Sequence, residues 1–156
     1  MKTFIVIIAT IIVSLGGQVA AWAADGRSLA DVAATVADAL AAGDAVILQR
    51  YWITYQEAEA LSPQKVGTKT EFLQAKAGWK QQTDNVWQEI RQAKLLVDHV
   101  KIEEVRIRKI RDVTPDRYRV VAVAVPVFSH KDELKPVPMM AMHFVQVGEQ
   151  WKYTSQ

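Results

Sequence analysis

The chain has 156 residues, no cysteine and a formal net charge of +2. The absence of cysteine excludes disulfides, thiol nucleophiles and cysteine-ligated zinc. The near balance of 19 basic and 17 acidic residues argues against a nucleic-acid-binding protein that works by neutralising phosphates.

Residues 1–23 are predicted to be a cleavable secretory signal peptide. Lys2 supplies the basic start, Phe4–Leu15 the apolar run, and Ala21-Trp22-Ala23 the small-x-small pattern that places cleavage before Ala24. A membrane-spanning helix needs about 20 apolar residues, so the run is short for a permanent anchor. We therefore expect a periplasmic or secreted protein that has no lipid-modified cysteine. An uncleaved anchor is the alternative, because the residues before the cleavage site are apolar enough to extend the span.

The remainder, 24–156, is expected to form one domain, since it contains no repeat, no low-complexity tract and no linker. Its first part has helical periodicity and its second part has strand periodicity. That order predicts an α+β fold, with three helices packed on a curved, antiparallel, four-stranded meander.

Two helices are predicted at the start of this domain. Ser28 is expected to cap the first in a capping-box-like pair with the aspartate three residues on, and Gly43 to end it. Asp44 is expected to cap a second helix that runs to Leu61, because Pro63 disfavours helix at the residue before it. The second helix would place five large apolar or aromatic residues on one face: Ile47, Leu48, Tyr51, Trp52 and Tyr55.

A third helix is predicted to start at Thr68 or Thr70 after a loop over 62–69. Gly78 and the polar stretch 81–85 could interrupt it. The residues spaced for its buried face are Phe72, Ala75, Trp79, Val86, Trp87 and Ile90.

From Val97 the apolar period changes from 3.6 to 2, which predicts strands. A three-residue step between apolar pairs indicates a bulge near Glu103-Glu104. These two carboxylates are also sequence neighbours on a strand, so they do not make a glycosidase pair.

Three further strands are predicted, over 118–128, 136–147 and 151–154. A polar connection over 129–135 separates the first two, and Gly148-Glu149 turns the chain into the last.

Two short motifs accompany this arrangement: the helix junction Ala41-Ala42-Gly43-Asp44 and the ending Gly148-Glu149-Gln150-Trp151-Lys152-Tyr153. With them, the chain resembles the nuclear-transport-factor-2-like superfamily, whose cystatin-like cone covers nearly all of 24–156. The resemblance implies a bent sheet around the helices with a pocket at the open end. Some members are ketosteroid isomerases, dehydratases or polyketide cyclases, many exported members bind ligands or partners, and others are assembly domains. Fold alone does not choose among these functions.

His143 is the main candidate site residue, since it interrupts an apolar strand and shares a face with Met139, Ala141 and Val145. It is a weak candidate for a catalytic base, and a core histidine is the alternative. The ligand-binding residues that we predict are Tyr51, Tyr55, Trp79 and His143. Tyr51 or Tyr55, from the second helix, is expected to approach His143.

Asp98 and His99 form a second candidate pair. Neighbouring residues on a strand point to opposite faces, so we expect no dyad from them.

No metal and no cofactor are expected, because the chain lacks the nucleotide-binding and metalloprotease motifs. Copper could use methionine and imidazole ligands. Met140 and Met142, however, should face away from Met139 and His143, and one site would need a break in the strand.

Basic residues alternate along the first two strands, which fits either the solvated face of a sheet or a patch for an anionic partner. They are Lys101, Arg106, Arg108, Arg111, Arg117 and Arg119.

The sequence therefore favours an exported, non-catalytic binding or accessory domain that holds a small apolar ligand or a protein partner. One alternative is a small lyase or isomerase that uses His143. Another is an envelope assembly or inhibitor protein that acts through its sheet, with a homodimer through the sheet as a related possibility. No nucleic-acid partner is expected, and no stable membrane insertion after cleavage.

Overall fold

The computed structural model of the chain describes residues 27–63, 65–111, 113, 115–130, 133–136 and 140–154. The predicted signal peptide and its cleavage site lie outside these ranges. Within them, helices precede strands in an antiparallel sheet, which confirms the predicted α+β class.

Helix α1 (Leu29–Ala42) begins and ends where the sequence predicts. The Asp31 carboxylate accepts a hydrogen bond from the Ser28 N–H at 3.1 Å, and Ser28 Oγ accepts one from the Asp31 N–H at 3.2 Å. Gly43 ends the helix with a φ of 71°, which glycine adopts at little cost. The helix buries Val36 and Leu40 and packs against the sheet and the other helices.

The predicted second helix is wrong as a continuous element, because the chain leaves the helical conformation at Trp52. Helix α2 spans Ala45–Tyr51 and helix α3 spans Tyr55–Leu61. Between them the Ile53 N–H donates to the Tyr153 carbonyl at 2.9 Å, and Trp52 pairs with Tyr153 in a parallel bridge. This pairing with the sheet stabilises the chain more than one further turn of helix would.

A capping box also marks the break. Thr54 and Glu57 bond reciprocally through side chain and backbone, as the pattern Thr-x-x-Glu allows. That pattern is readable in the sequence and is the signal that the prediction overlooked. The predicted residues do not share one buried face, since Ile47 is 37% exposed while Trp52 is 4% exposed.

Helix α4 (Lys69–Gln92) is a single helix. Its N-terminal cap is Thr68, which is one of the two predicted starting residues. Gly78 does not interrupt it. Trp87 and Ile90 are buried, and Phe72, Trp79 and Val86 are partly buried against the core, which confirms most of the predicted face, whereas Ala75 is exposed and its predicted burial is wrong.

The sheet contains β1 (Leu96–Ile110), β2 (Arg117–His130), β3 (Glu133–Pro136), β4 (Met142–Val147) and β5 (Gln150–Thr154). Its order is β1-β2-β4-β5, and β3 pairs with the end of β2.

Two details of the predicted meander are corrected by this pairing. The stretch 129–135 is not a polar connection, because β2 continues to His130 and residues 133–136 pair back onto it. The predicted strand 136–147 is divided, with β3 ending at Pro136 and β4 starting at Met142. The register shifts between the pairs Val127↔Pro136 and Ala124↔Met142, so extra residues are accommodated on this edge of β2.

The predicted bulge is confirmed. Ile102 pairs with Ala124 and Glu104 pairs with Val123, so Glu103 is the extra residue of β1.

One row of the sheet carries the centre of the core. Val105, Ala122, Phe144 and Tyr153 lie side by side across four strands, and the last three are at most 4% exposed. The helices cover this face.

Helix α3 reaches the opposite face. Lys152 Nζ lies 3.3 Å from Glu57 Oε1, and Arg119 Nη1 donates to Ser62 Oγ at 2.8 Å. Residues on both faces of β5 are thereby held by helical segments.

Candidate functional site

A cavity of about 300 Å³ lies between the second half of α4 and the start of β4. Helix α4 and the strands around β4 each supply about half of its walls. The residues that line it are Trp79, Gln82, Thr83, Val86, Trp87, Met140, Ala141, Met142, His143 and Tyr153.

An aromatic cluster forms one end of the cavity. Trp79 of α4 and Tyr153 of β5 stack with ring centroids 5.7 Å apart and planes 18° apart. Trp52 meets both rings edge-on, at 5.2 and 5.3 Å. Lys76 Nζ lies 5.4 Å from the centre of the Trp52 ring and donates to the Ile53 carbonyl. These contacts hold the Trp79 wall in place.

The other end is formed by Trp87 and two methionines. Trp87 is 2% exposed and packs on Phe128, with 5.7 Å between ring centroids. Met140 and Met142 are also buried. Met140, which precedes β4, and Met142 and His143 of β4 all line this cavity. Met139 lies outside the described residues.

His143 is half-buried in the cavity wall. Burial is the main reason why its pKa lies below the ordinary value of 6.5, and the positive charge of Arg108 lowers the pKa further. The imidazole is therefore neutral at neutral pH. A neutral imidazole offers one hydrogen-bond donor and one acceptor.

Tyr153 is the second titratable group in the cavity. Burial raises the pKa of its phenol to about 12, opposed by a hydrogen bond with the side chain of Thr83. The phenol keeps its proton at physiological pH and acts only as a neutral hydrogen-bonding group.

The structure brings together two of the four predicted ligand-binding residues, Trp79 and His143. Tyr51 and Tyr55 are not among the described residues that line this cavity. Tyr55 packs on Phe72, and its hydroxyl donates to Glu59 Oε1 at 3.0 Å. The break at Trp52 turns Tyr55 away from α2.

The tyrosine that lines the cavity is Tyr153 of β5, whereas we expected a tyrosine from the second helix. Its position follows from the hairpin around Gly148, which pairs Tyr153 with Phe144 and Thr154 with His143. The turn residues and the alternation of β4 and β5 were a usable signal for this neighbour.

The expectation for Asp98 and His99 is also wrong. Val97 pairs with Phe128 and His99 pairs with Val127, so Asp98 is a bulged residue and the alternation of faces fails there. Asp98 Oδ2 lies 2.8 Å from His99 Nδ1. Both side chains are about half exposed and no described cavity adjoins them, so the pair is a surface contact.

Three of the basic residues of β1 and β2 lie in two different environments. Lys101 and Arg106 form ion pairs with Glu103 and Glu104, as on a solvated sheet face. Arg119 is half-buried, and burial lowers the pKa of its guanidinium.

The described residues contain no cluster of three or more histidine or carboxylate side chains suited to a metal ion. Within the same ranges, no helix is long and apolar enough to cross a membrane. No known protein family, curated protein or solved structure matches this chain.

Proposed function

We propose that this chain is an exported, non-catalytic binding domain that holds a small, mainly apolar ligand between α4 and β4. The observation that carries the proposal is the cavity itself. Its size is at the lower end of the roughly 300–1,000 Å³ typical of small-molecule sites, and seven of its ten described lining residues are apolar or aromatic.

The polar groups of the cavity define the kind of ligand. The polar residues among its described lining are Gln82, Thr83 and His143, together with the Tyr153 hydroxyl. None of the described residues that line the walls is acidic or permanently charged. We infer a neutral molecule with an apolar body and one hydroxyl or carbonyl group.

Assignment to the nuclear-transport-factor-2-like superfamily belongs to the same proposal. It is supported by helices that precede an antiparallel meander and by a cavity between the long helix and that sheet. Export is supported by the pattern of residues 1–23.

A neutral apolar dye, 1-N-phenylnaphthylamine, tests the proposal. We expect its fluorescence to rise saturably with the parent chain. Ala141→Phe should weaken binding roughly tenfold or more, because the new ring fills the cavity. Ala30→Phe, on the exposed side of α1, is the matched control and should bind as the parent does.

Thermal unfolding of both variants establishes that they are folded. Absence of saturable binding to the parent, or equal binding by Ala141→Phe, would contradict the proposal. Native mass spectrometry of the parent purified from cells then gives the mass of a retained ligand or protein partner.

A lyase or isomerase is the second candidate, because His143 and Tyr153 line the same cavity. A neutral imidazole can take a proton from carbon, and a protonated phenol can bond to the developing oxyanion. Turnover of a bound ligand, reduced about a hundredfold or more in His143→Gln with binding retained, would establish this alternative.

A further inference from the structure

A second cavity, of about 190 Å³, lies beside the start of β5 and is lined by hydrogen-bond donors. It is bounded by Arg27, two residues before α1, by the first turn of α1, by the end of α2 and by the first residues of β5. Its polar walls come from Arg27, Arg50, Tyr51, Gln150, Trp151 and Lys152. No carboxylate is among the described residues that line it.

A buried indole N–H in the cavity wall lacks an acceptor. Trp151 is only 4% exposed, and its Nε1 has no hydrogen-bond partner among the described residues. Arg119 Nε is the other buried side-chain atom in this state within the same ranges. An indole nitrogen can only donate, and leaving such a donor buried and unpaired is costly. This N–H has almost no water-accessible surface, so it is not a donor for a molecule that occupies the cavity, and the other lining residues must supply the donors.

The remaining donors concentrate positive charge at the same place. Arg27 donates to the Tyr51 hydroxyl, and that phenol still carries its own O–H. Lys152 is partly balanced by Glu57, 3.3 Å away. Arg27 and Arg50 form no ion pair within the described part of the chain, although hydrogen bonds from Ser28 and, to a smaller extent, the charge of Arg27 lower the pKa of nearby Asp31. The cavity therefore combines net positive charge with an excess of donors.

We propose that this cavity binds a compact oxyanion, either a phosphate or a carboxylate group. Guanidinium groups match the oxygen spacing of both anions, and charge-assisted bonds to them are stronger than neutral ones. The volume is below that of a drug-sized ligand, so the occupant is a small anion or the anionic group of a molecule that extends into solvent.

Isothermal titration calorimetry with inorganic phosphate and with succinate, at constant ionic strength, tests this site. We expect saturable binding of at least one of the two, and their relative affinity identifies the anion class. Arg50→Gln should weaken that binding roughly tenfold, because a charged donor is lost. Trp151→Phe keeps the ring but removes an N–H that has almost no water-accessible surface, and should leave anion binding unchanged.

Arg117→Gln removes the same charge from an exposed position on β2 and is the matched control. Arg50 is exposed, so its replacement leaves the fold intact even if Trp151→Phe lowers stability. The proposal is overturned if neither anion binds saturably, or if Arg117→Gln weakens binding as much as Arg50→Gln. Binding of the neutral dye to the other cavity should be the same in Arg50→Gln and the parent, so the two proposals stand or fail separately.

Discussion

At the scale of single residues, the environment of His143 determines what it can do. The strand pattern identifies it as the polar member of an apolar run, and the structure adds partial burial and the charge of Arg108. Both effects lower the pKa and disfavour the imidazolium, with burial the larger. The residue therefore resembles a neutral ligand contact more than a cationic anchor.

We predict that the stability lost when the pH falls from about 8 to about 5 is smaller in His143→Gln than in the parent. In the parent, the pKa of His143 is lower in the folded state than in the unfolded chain. The unfolded chain then binds more protons as the pH falls through about 6.5, so the free energy of unfolding decreases there. The contribution is fully present above that pH and is lost progressively towards the folded-state pKa.

Chemical denaturation at the two pH values measures the effect. His99→Gln, which removes an exposed imidazole of β1, is the control. It shows how the loss of any one histidine changes the difference in the free energy of unfolding between the two pH values. An equal loss of stability in the parent and in His143→Gln would show that burial of this imidazole is not the cause.

At the scale of elements, helix ends are set by local chemistry and helix interiors by packing. Ser28, Thr54 and Thr68 each cap a helix in a capping box with an acidic residue three positions on. Two glycines show the same contrast between a helix end and a helix interior. Gly43 has a φ of 71° at the end of α1, whereas Gly78 lies inside α4 with open space where a Cβ would stand.

We predict opposite effects for the same substitution at these two glycines. Gly43→Ala should destabilise the domain by about 1 kcal/mol, because an L-residue is strained at positive φ. Gly78→Ala should stabilise it by about 0.5–1 kcal/mol, because alanine restricts the unfolded chain and no atom lies within 4 Å of the added methyl group.

Thermal unfolding of the two variants beside the parent checks this pair, and each serves as the control for the other. A stabilising Gly43→Ala, or a destabilising Gly78→Ala, would contradict the conformational explanation.

At the scale of the whole molecule, the sheet joins segments that are far apart in the chain. The Trp52–Ile53 segment lies against Tyr153, and Tyr153 stacks on Trp79 of α4. These contacts place the aromatic end of the cavity. The remaining question at this scale is whether the domain is released from the segment that precedes it.

We predict that the chain made in a bacterial cell is cleaved after Ala23 and begins at Ala24. Signal peptidase requires small residues one and three positions before the cut and tolerates a large one between them. Ala23→Phe should therefore keep residues 1–23 and remain with the membrane fraction. Trp22→Phe is the matched control and should be cleaved.

Intact-mass measurement after fractionation distinguishes these outcomes. A parent chain recovered at full length in the membrane fraction would support the tethered alternative instead of the cleaved one.

The sequence by itself determined those features that depend on neighbours in the chain. Capping residues located the start of α1 and α4, Gly43 and Gly148 located two turns, and a three-residue step located the bulge at Glu103. Such signals are local, since they report backbone conformation and hydrogen bonds within a few residues. They were sufficient for the α+β class.

Only the tertiary structure decided how distant segments meet. The α2–α3 break depends on Tyr153, about a hundred residues away. The bulge at Asp98 reverses the expected faces of Asp98 and His99, and the anion cavity joins the start of α1 to β5. Periodicity within one segment contains no information about its partner, so these contacts became visible only once the segments were packed together.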